Sequence, residues 1–172
     1  MERRIVIKYL RVTYEELSAI EQHLIECARR ATDKSYSPYS HFSVGAAVLL
    51  ANDEIITGSN QENAAYPSGI CAERTALFYA NSQYPDQPVK MLAIAAKSQE
   101  GFTQTPITPC GACRQVIMET EKRFGHPIKI LLFGEKETII IEGVKALLPF
   151  SFEASAFQNP PAPVSLHNSL PR

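Results

Sequence analysis

Apolar and polar residues recur along this chain with periods that predict a mixed β-sheet covered by helices. Residues 1–12 are expected to form an extended arm with a short strand at Ile5–Tyr9. Thr13 and Glu16 have the spacing of a capping box, and apolar residues then recur at helical spacing for roughly five turns. The pattern predicts a first helix that ends before Ser37-Pro38, because a residue before proline disfavours helical backbone.

The next segments predict a hairpin, a second helix and a buried strand. The apolar stretches Phe42–Leu50 and Glu54–Thr57 flank Ala51-Asn52-Asp53, which is a typical hairpin turn. Helical periodicity over Cys71–Ala80 predicts the second helix, and the continuous apolar run Val89–Ala96 predicts the strand.

The remaining segments complete an α/β fold. Pro109 is a plausible first-turn proline for a third helix that runs from Cys110 to about Arg123. The two strands that follow are joined by too few residues for a helical crossover, so they are expected to be antiparallel. We predict a three-layer α-β-α sandwich around one mixed five-stranded sheet. The last predicted elements are strands at Ile128–Phe133 and Thr138–Ile141 and a short helix at Gly143–Leu148.

Length and composition narrow the classes of function. With 172 residues the chain is expected to be one domain, with an arm (1–12), a catalytic core (13–152) and a Pro-rich, partly disordered tail (153–172). Lys and Arg (17) nearly balance Asp and Glu (18), which argues against a nucleic-acid polymer as partner. No apolar run reaches the length of a membrane span, so we expect a cytoplasmic protein with no membrane partner.

The candidate chemistry lies in two short segments, Cys71-Ala72-Glu73 and Pro109–Cys113. Cysteines in a cytoplasmic protein favour metal binding or catalysis over disulfides. Three thiol ligands would leave the fourth position of a zinc ion for water, as in catalytic rather than structural zinc sites. The Glu73 carboxylate beside this site would carry protons. Three thiolates also need compensating positive charge, and Arg74 and Arg114 are the candidate donors to the sulfur atoms.

Each of these residues has a simpler interpretation. A Cys-x-x-Cys pair alone is also typical of a redox pair or half of a structural zinc site. Cys71 alone would more often be a small core residue, and Glu73 a favourable acid in a first helical turn. The combination favours the zinc site. Cys27 is expected in the core, and the four histidines show no ligand spacing.

These segments resemble the cytidine deaminases, specifically the small homotetrameric type with three cysteine ligands, over roughly residues 14–152. The arm and the tail have no counterpart in that pattern, and Phe150 is bulkier than the small residue expected there. The matching stretches are Tyr39–Ala47, Asn60–Tyr66, Cys71–Leu77, Pro109–Val116 and Leu147–Pro149.

The resemblance implies a role for each matching residue. Cys71, Cys110 and Cys113 would bind one Zn²⁺ per subunit, and Glu73 would be the catalytic acid and base. Asn60 and Glu62 would bind the ribose hydroxyls. The remaining substrate-binding residues that it implies are Phe42 and Tyr66 in the pocket, Ala72 through its backbone, and Phe152 reaching into a neighbouring subunit's site.

The implied function is zinc-dependent hydrolytic deamination of free cytidine and deoxycytidine in pyrimidine salvage, by a homotetramer with active sites at subunit interfaces. Three alternatives stay open. A deaminase acting on RNA or DNA is disfavoured by charge and by the final hairpin, and a blasticidin deaminase by Asn60–Asn63. A zinc-stapled binding module would need a fourth protein ligand.

Overall fold

The first helix begins later than the sequence pattern predicts. In the computed structural model, which describes residues 1–157, the predicted capping box forms but starts only a 3-10 turn over Tyr14–Glu16. The helix α1 (Ala19–Ala31) starts after a second capping box, in which Ser18 donates from both its N–H and its hydroxyl to Glu21. The predicted start at Thr13 was therefore wrong.

One mixed sheet forms the centre of the molecule. The strands are β1 (Leu10–Val12), β2 (Ser43–Leu50), β3 (Ile55–Ser59), β4 (Val89–Ser98), β5 (Gly101–Phe102), β6 (Lys129–Phe133) and β7 (Thr138–Glu142). Their order in the sheet is β1-β7-β6-β4-β2-β3, and β5 also pairs with β4. Only β4 and β6 run parallel in the described residues, and the last two strands are antiparallel as predicted.

The predicted fold class is confirmed, with two differences in the strands. All five strands of the predicted sheet are present, and two short strands, β1 and β5, are added to them. The arm strand predicted at Ile5–Tyr9 is instead β1, where Leu10 pairs with Ile140 of β7. The predicted short helix after β7 is a single 3-10 turn over Val144–Ala146.

Helices cover both faces of the sheet. On one face α1 buries Leu24 and Ile25 completely. On the other face lie α2 (Ala72–Gln83) and α3 (Gly111–Phe124), which bury Leu77 and Ile117. Burying one such side chain is worth about 1.5–3 kcal/mol, so both faces contribute to stability.

A close approach of backbones places α2 against the sheet. A Cβ atom at Gly58 of β3 would lie 2.6 Å from the Ala72 carbonyl oxygen and 2.5 Å from the Ala76 nitrogen. Only glycine leaves room for this contact. The first turn of α2 is therefore held directly on β3, and this fixes the position of the residues at its N-terminus.

Two sequence predictions about the ends of the chain are not decided by the fold. The division into an arm, a core (13–152) and a tail stays a prediction, and the tail from residue 158 lies outside the described residues.

Within residues 1–157, no helix is long and apolar enough to span a bilayer.

Candidate metal and substrate site

Two helix N-termini bring the three predicted thiols together. Cys71 is the N-cap residue of α2 and Cys110 that of α3, with Cys113 in the first turn of α3. All three Sγ atoms lie within 4.8 Å of one another. The Sγ–Sγ distances are 3.8 Å between Cys71 and Cys110 and 3.5 Å between Cys110 and Cys113. Pro109 precedes the N-cap of α3 and does not occupy its first turn.

The cluster fits a tetrahedral zinc ion. With Zn–S bonds of about 2.3 Å, ligand sulfur atoms lie about 3.8 Å apart, close to the observed separations. A disulfide would need an S–S distance of about 2.05 Å, and all four cysteines are free. Among residues 1–157, this is the one group of three or more His, Cys, Asp or Glu side chains with metal-binding geometry. Cys27, on α1, belongs to the hydrophobic cluster between that helix and the sheet, as predicted.

Hydrogen bonds within the cluster distribute its protons unequally. A hydrogen bond from Cys113 and a further contribution from Arg74 lower the pKa of Cys71 to about 5. The same bond to Cys71, together with burial, raises the pKa of the Cys113 thiol well above its usual range. Three adjacent thiolates repel one another, so full ionisation of the cluster requires a bound cation.

The predicted catalytic carboxylate is buried beside the thiols. Glu73 lies in the first turn of α2 and is only 4% exposed. Burial raises the pKa of its carboxyl, and the nearby Cys71 thiolate raises it further. A buried acid with a raised pKa can both accept and donate protons near neutral pH.

The two arginines predicted to compensate the thiolates differ in their contacts. The Arg74 Nη2 atom lies 3.8 Å from Cys71 Sγ, which is consistent with the predicted contact. Arg114 instead donates to the carbonyl oxygens of Pro109 and Leu147, both at 2.8 Å, and to the Thr108 hydroxyl at 3.2 Å. The prediction that Arg114 donates to sulfur was wrong, because its guanidinium is used by these oxygen atoms.

A cavity of about 570 Å³ opens beside the thiols. Its lining includes Cys71 and Arg74 at the thiol cluster, which we call one end of the cavity, and Asn60, Glu62 and Tyr66, which we call the other end. The sequence prediction thus identified residues at both ends of one cavity. Its remaining lining residues are Tyr39, Ser40, Gln61, Asn63, Gly69 and Ile70.

The Asn60 side chain is fixed by hydrogen bonds to residues at the start of β2 and in the segment before it. Its Oδ1 accepts from the Val44 N–H at 2.8 Å and from the Ser35 hydroxyl at 2.6 Å. Its Nδ2 donates to the Phe42 carbonyl at 2.9 Å. Because one partner is a backbone donor and another a backbone acceptor, the amide can take only this orientation.

Glu62 is fixed in a similar way but lies closer to solvent. Its Oε2 accepts from the N–H groups of Tyr39 at 2.9 Å and Ser40 at 3.2 Å, and its Oε1 accepts from the Ser40 hydroxyl. The Ser40 hydroxyl and the Tyr39 N–H lower the pKa of the Glu62 carboxyl. Glu62 is therefore held as an ionised acceptor.

The other predicted substrate-binding residues are placed differently. Tyr66 lines the cavity but is 79% exposed, and its ring contacts that of Tyr39 edge-on. Ala72 is fully buried at the start of α2. Phe42 and Ala72 are not among the residues that line the cavity in the described part of the chain. Phe152 lies outside the cavity, where its carbonyl accepts from Gln115 and its ring contacts Phe157.

Ser40 is a contact residue of the site that the sequence prediction did not single out. Serine is common in turns, where its hydroxyl bonds to a nearby side chain or to the N–H two residues further on. This turn preference was the one signal in the sequence that could have indicated Ser40. A larger cavity of about 740 Å³ lies between the arm and β7, but the residues that line it include no thiol. Of these two cavities, the one of about 570 Å³ is the one lined by a thiol.

Comparison with known proteins identifies the family of this region. Residues 18–124 match the family model described as the cytidine and deoxycytidylate deaminase zinc-binding region. This range includes all three thiols and Glu73. A cytidine deaminase of Halalkalibacterium halodurans is 46% identical over 98 residues, which are 57% of this chain and 70% of the relative. One from Sporosarcina psychrophila is also 46% identical over 98 residues, 57% of this chain and 68% of the relative.

Solved structures of cytidine deaminases share the fold. The cytidine deaminase of Burkholderia pseudomallei aligns with a TM-score of 0.66 and 36% identity, covering 79% of this chain and all of that one. That of Mycobacterium tuberculosis aligns with a TM-score of 0.61 and 28% identity, covering 78% of this chain and 98% of that one. The zinc-binding region and the three-thiol cluster together fit one zinc ion per chain.

Proposed function

Because the chain belongs to the cytidine and deoxycytidylate deaminase family, we propose that it catalyses the zinc-dependent hydrolytic deamination of free cytidine and deoxycytidine. The observation that carries this proposal is the three-thiol cluster with Glu73 buried beside it, at one end of a cavity whose other end holds Asn60 and Glu62. Cys71, Cys110 and Cys113 would hold the ion. A zinc ion bound there lowers the pKa of a water molecule towards neutrality and so supplies the nucleophile.

Glu73 carries the protons of the reaction in this proposal. It accepts one proton from the attacking water and gives it to the ring nitrogen N3 of cytosine. It then takes the second proton from the new hydroxyl group on C4 and delivers it to the amino group, which leaves as ammonia while C4 becomes a carbonyl. One carboxylate suffices because each delivery leaves it deprotonated and able to accept the next proton.

The hydrogen-bond capacity at the other end supports the use of both nucleosides. Asn60 Oδ1 already accepts two hydrogen bonds and Nδ2 has donated one, so one N–H remains. Glu62 accepts three, so about one of its four acceptor positions remains. One donor and one acceptor match a single sugar hydroxyl, and a site that binds only one hydroxyl can accept deoxycytidine as well as cytidine.

We also propose a homotetramer with active sites at subunit interfaces, in which Phe152 reaches a neighbouring site. Exposed aromatic side chains support it, since Phe152 is 63% exposed and Phe78 and Tyr79 on α2 are half-exposed. Surfaces of this kind often mark interfaces. Sedimentation equilibrium should give four chains per particle, and a monomer with full activity would contradict the assembly.

A cytoplasmic role in pyrimidine salvage is the natural setting for this activity. The free thiols support that compartment, because reduced cysteines persist in reducing environments. Fractionation of cells with an antibody to the chain should place it with cytosolic markers. Cells supplied with labelled cytidine should incorporate the label into uridine nucleotides when they contain this protein and should not do so when they lack it.

The decisive test measures turnover and bound zinc in the same sample. The purified chain is mixed with cytidine, deoxycytidine or a cytosine-containing oligonucleotide, and the ultraviolet absorbance of cytosine is followed. We expect both nucleosides to be deaminated in proportion to the zinc content and the oligonucleotide to remain unchanged. A zinc-loaded chain that deaminates only the oligonucleotide, or nothing, would overturn the proposal.

A further inference from the structure

The Ser40 hydroxyl links two parts of the predicted substrate site. It donates to Oε1 of Glu62 and accepts from the Phe42 N–H at 3.1 Å. Ser40 also donates its own N–H to Oε2 of Glu62 at 3.2 Å. One residue thus contacts both oxygens of the carboxylate and the backbone of Phe42.

These contacts close a turn with an unfavourable backbone conformation. His41, the next residue, has φ of +54°, in the left-handed region that non-glycine residues rarely adopt. The hydrogen bond from Phe42 N–H to the Ser40 hydroxyl spans His41, and the His41 N–H donates to the Ser37 carbonyl at 3.0 Å. The turn directs the Ser40 hydroxyl towards Glu62.

The Ser40 hydroxyl also determines which acceptor position of Glu62 stays available. Two backbone donors occupy Oε2, so the free position is on Oε1, next to the Ser40 hydroxyl. Rotation about the last bond of a glutamate side chain is otherwise broad. Without the hydroxyl, only the two bonds to Oε2 would orient the carboxylate, and Oε1 would have no protein partner of its own.

We propose that Ser40 is a positioning residue for sugar recognition, which holds Glu62 so that one carboxylate oxygen faces a hydroxyl group of the nucleoside. This inference rests on the proposed function and deepens it. Ser40 does not need to touch the substrate, because it acts through Glu62. Its loss should raise the KM for nucleosides that carry that hydroxyl and leave kcat nearly unchanged.

The simpler role for Ser40 is to stabilise a turn, and the chain contains a control for that role. Ser98 accepts from the Glu100 N–H at 3.2 Å, the same contact over two residues, in the exposed turn between β4 and β5. The cavity lining does not include Ser98. The variant S98A removes the same turn contact without affecting Glu62.

The experiment compares S40A, S40T and S98A with the unmodified chain. Values of kcat and KM are measured with cytidine, 2′-deoxycytidine and 2′,3′-dideoxycytidine, which lose the sugar hydroxyls one at a time. For S40A we expect KM to rise about tenfold for substrates that carry the hydroxyl bound by Glu62, the scale of one charge-assisted hydrogen bond. For the analogue that lacks this hydroxyl, the KM of S40A should equal that of the unmodified chain. S40T should restore KM, and S98A should match the unmodified chain.

Three results would overturn the role of Ser40: an equal rise in KM for all three nucleosides, no rise at all, or no restoration by S40T. Calorimetric dissociation constants of the same nucleosides, measured in a Glu73→Gln background, should show the same ranking without turnover. Failure of the proposed function has a different signature. The zinc-loaded, unmodified chain would then neither deaminate nor bind cytidine, and both proposals would fall.

Discussion

The two ends of the cavity are built in different ways. At the metal end, Cys71, Cys110 and Cys113 project from the N-termini of two helices, and the neighbouring Glu73 is almost completely buried. At the sugar end, Asn60 and Glu62 follow β3, and backbone groups of residues 39–44, at the start of β2 and in the segment before it, hold their side chains.

This difference separates local from tertiary control of the site. The ligand geometry of Cys110 and Cys113 follows from their spacing on one helical turn. The Asn60 amide depends on Ser35, Phe42 and Val44, which lie 25, 18 and 16 residues away in the chain. Substitutions at the metal end should therefore abolish reaction with every substrate, whereas those at the sugar end should change KM and discrimination.

The largest effect is expected from Cys110→Ala. Removal of one of three ligands should abolish zinc binding and detectable deamination, and it should lower stability because metal binding contributes to folding. Elemental analysis and the cytidine absorbance assay measure both losses. Cys27→Ala is the matched control, since Cys27 lies on α1, on the opposite face of the sheet from α2 and α3, and its loss should leave zinc and activity intact. Full zinc occupancy in Cys110→Ala would contradict the ligand assignment.

Glu73→Gln should separate chemistry from metal binding at the same end. We expect kcat to fall by about 10²–10⁴ or more, the range for loss of general acid–base assistance, with zinc content unchanged. The variant should be folded, because glutamine has nearly the same shape and no charge to bury. Glu119→Gln, at an exposed position on α3, is the control. A substantial kcat in Glu73→Gln would remove this residue from the mechanism.

The two arginines provide a comparison within the metal end. Arg74→Gln should weaken zinc affinity about 10- to 100-fold, as loss of an outer contact to a ligand typically does. Arg114→Gln should mainly destabilise the fold, by about 2–4 kcal/mol, because it loses three hydrogen bonds to oxygen atoms. Competition with a chelator and chemical denaturation measure the two effects. Equal zinc affinities in both variants would show that Arg74 does not act on the thiolates.

At the sugar end, Glu62→Gln and Asn60→Ala should differ in their effect on stability. Both should raise the KM for cytidine, by about tenfold. Asn60→Ala should also destabilise the fold by about 2–3 kcal/mol, because its side chain makes three hydrogen bonds to the chain. Steady-state kinetics and thermal unfolding test this. A larger fall in kcat than rise in KM would place these residues in the chemical step.

The smallest effect is expected at Glu121 on α3, outside the cavity. Its Oε1 accepts from the N–H groups of Ile128 and Val144, both at 2.9 Å, and burial raises the pKa of its carboxyl. A raised folded-state pKa favours the protonated form, so stability should fall as pH rises from about 4.3 through that pKa. Glu121→Gln keeps the accepting oxygen and should lack this decline. Denaturation at several pH values measures the difference, and identical pH profiles would contradict it.

Much of the fold and the metal end follows from the sequence alone. The hairpins, the second and third helices and the antiparallel last strands formed as predicted, because their signals lie in apolar periodicity and short turns. Cys110 and Cys113 could be paired because one-turn spacing is a local feature. Cys71 lies 39 residues from Cys110, and the combination of motifs and the family resemblance, rather than local spacing, grouped it and Glu73 with them.

Tertiary structure decided the rest, because the deciding partners lie far apart in the chain. β1 forms at Leu10–Val12 since Leu10 pairs with Ile140, which no pattern in the arm reveals. Arg114 donates a hydrogen bond to the Leu147 carbonyl, 33 residues away in the chain. Ser40 donates one to the Glu62 carboxylate, 22 residues away. Periodicity specifies which face of a segment is buried, whereas hydrogen-bonding partners depend on which segments the fold brings into contact.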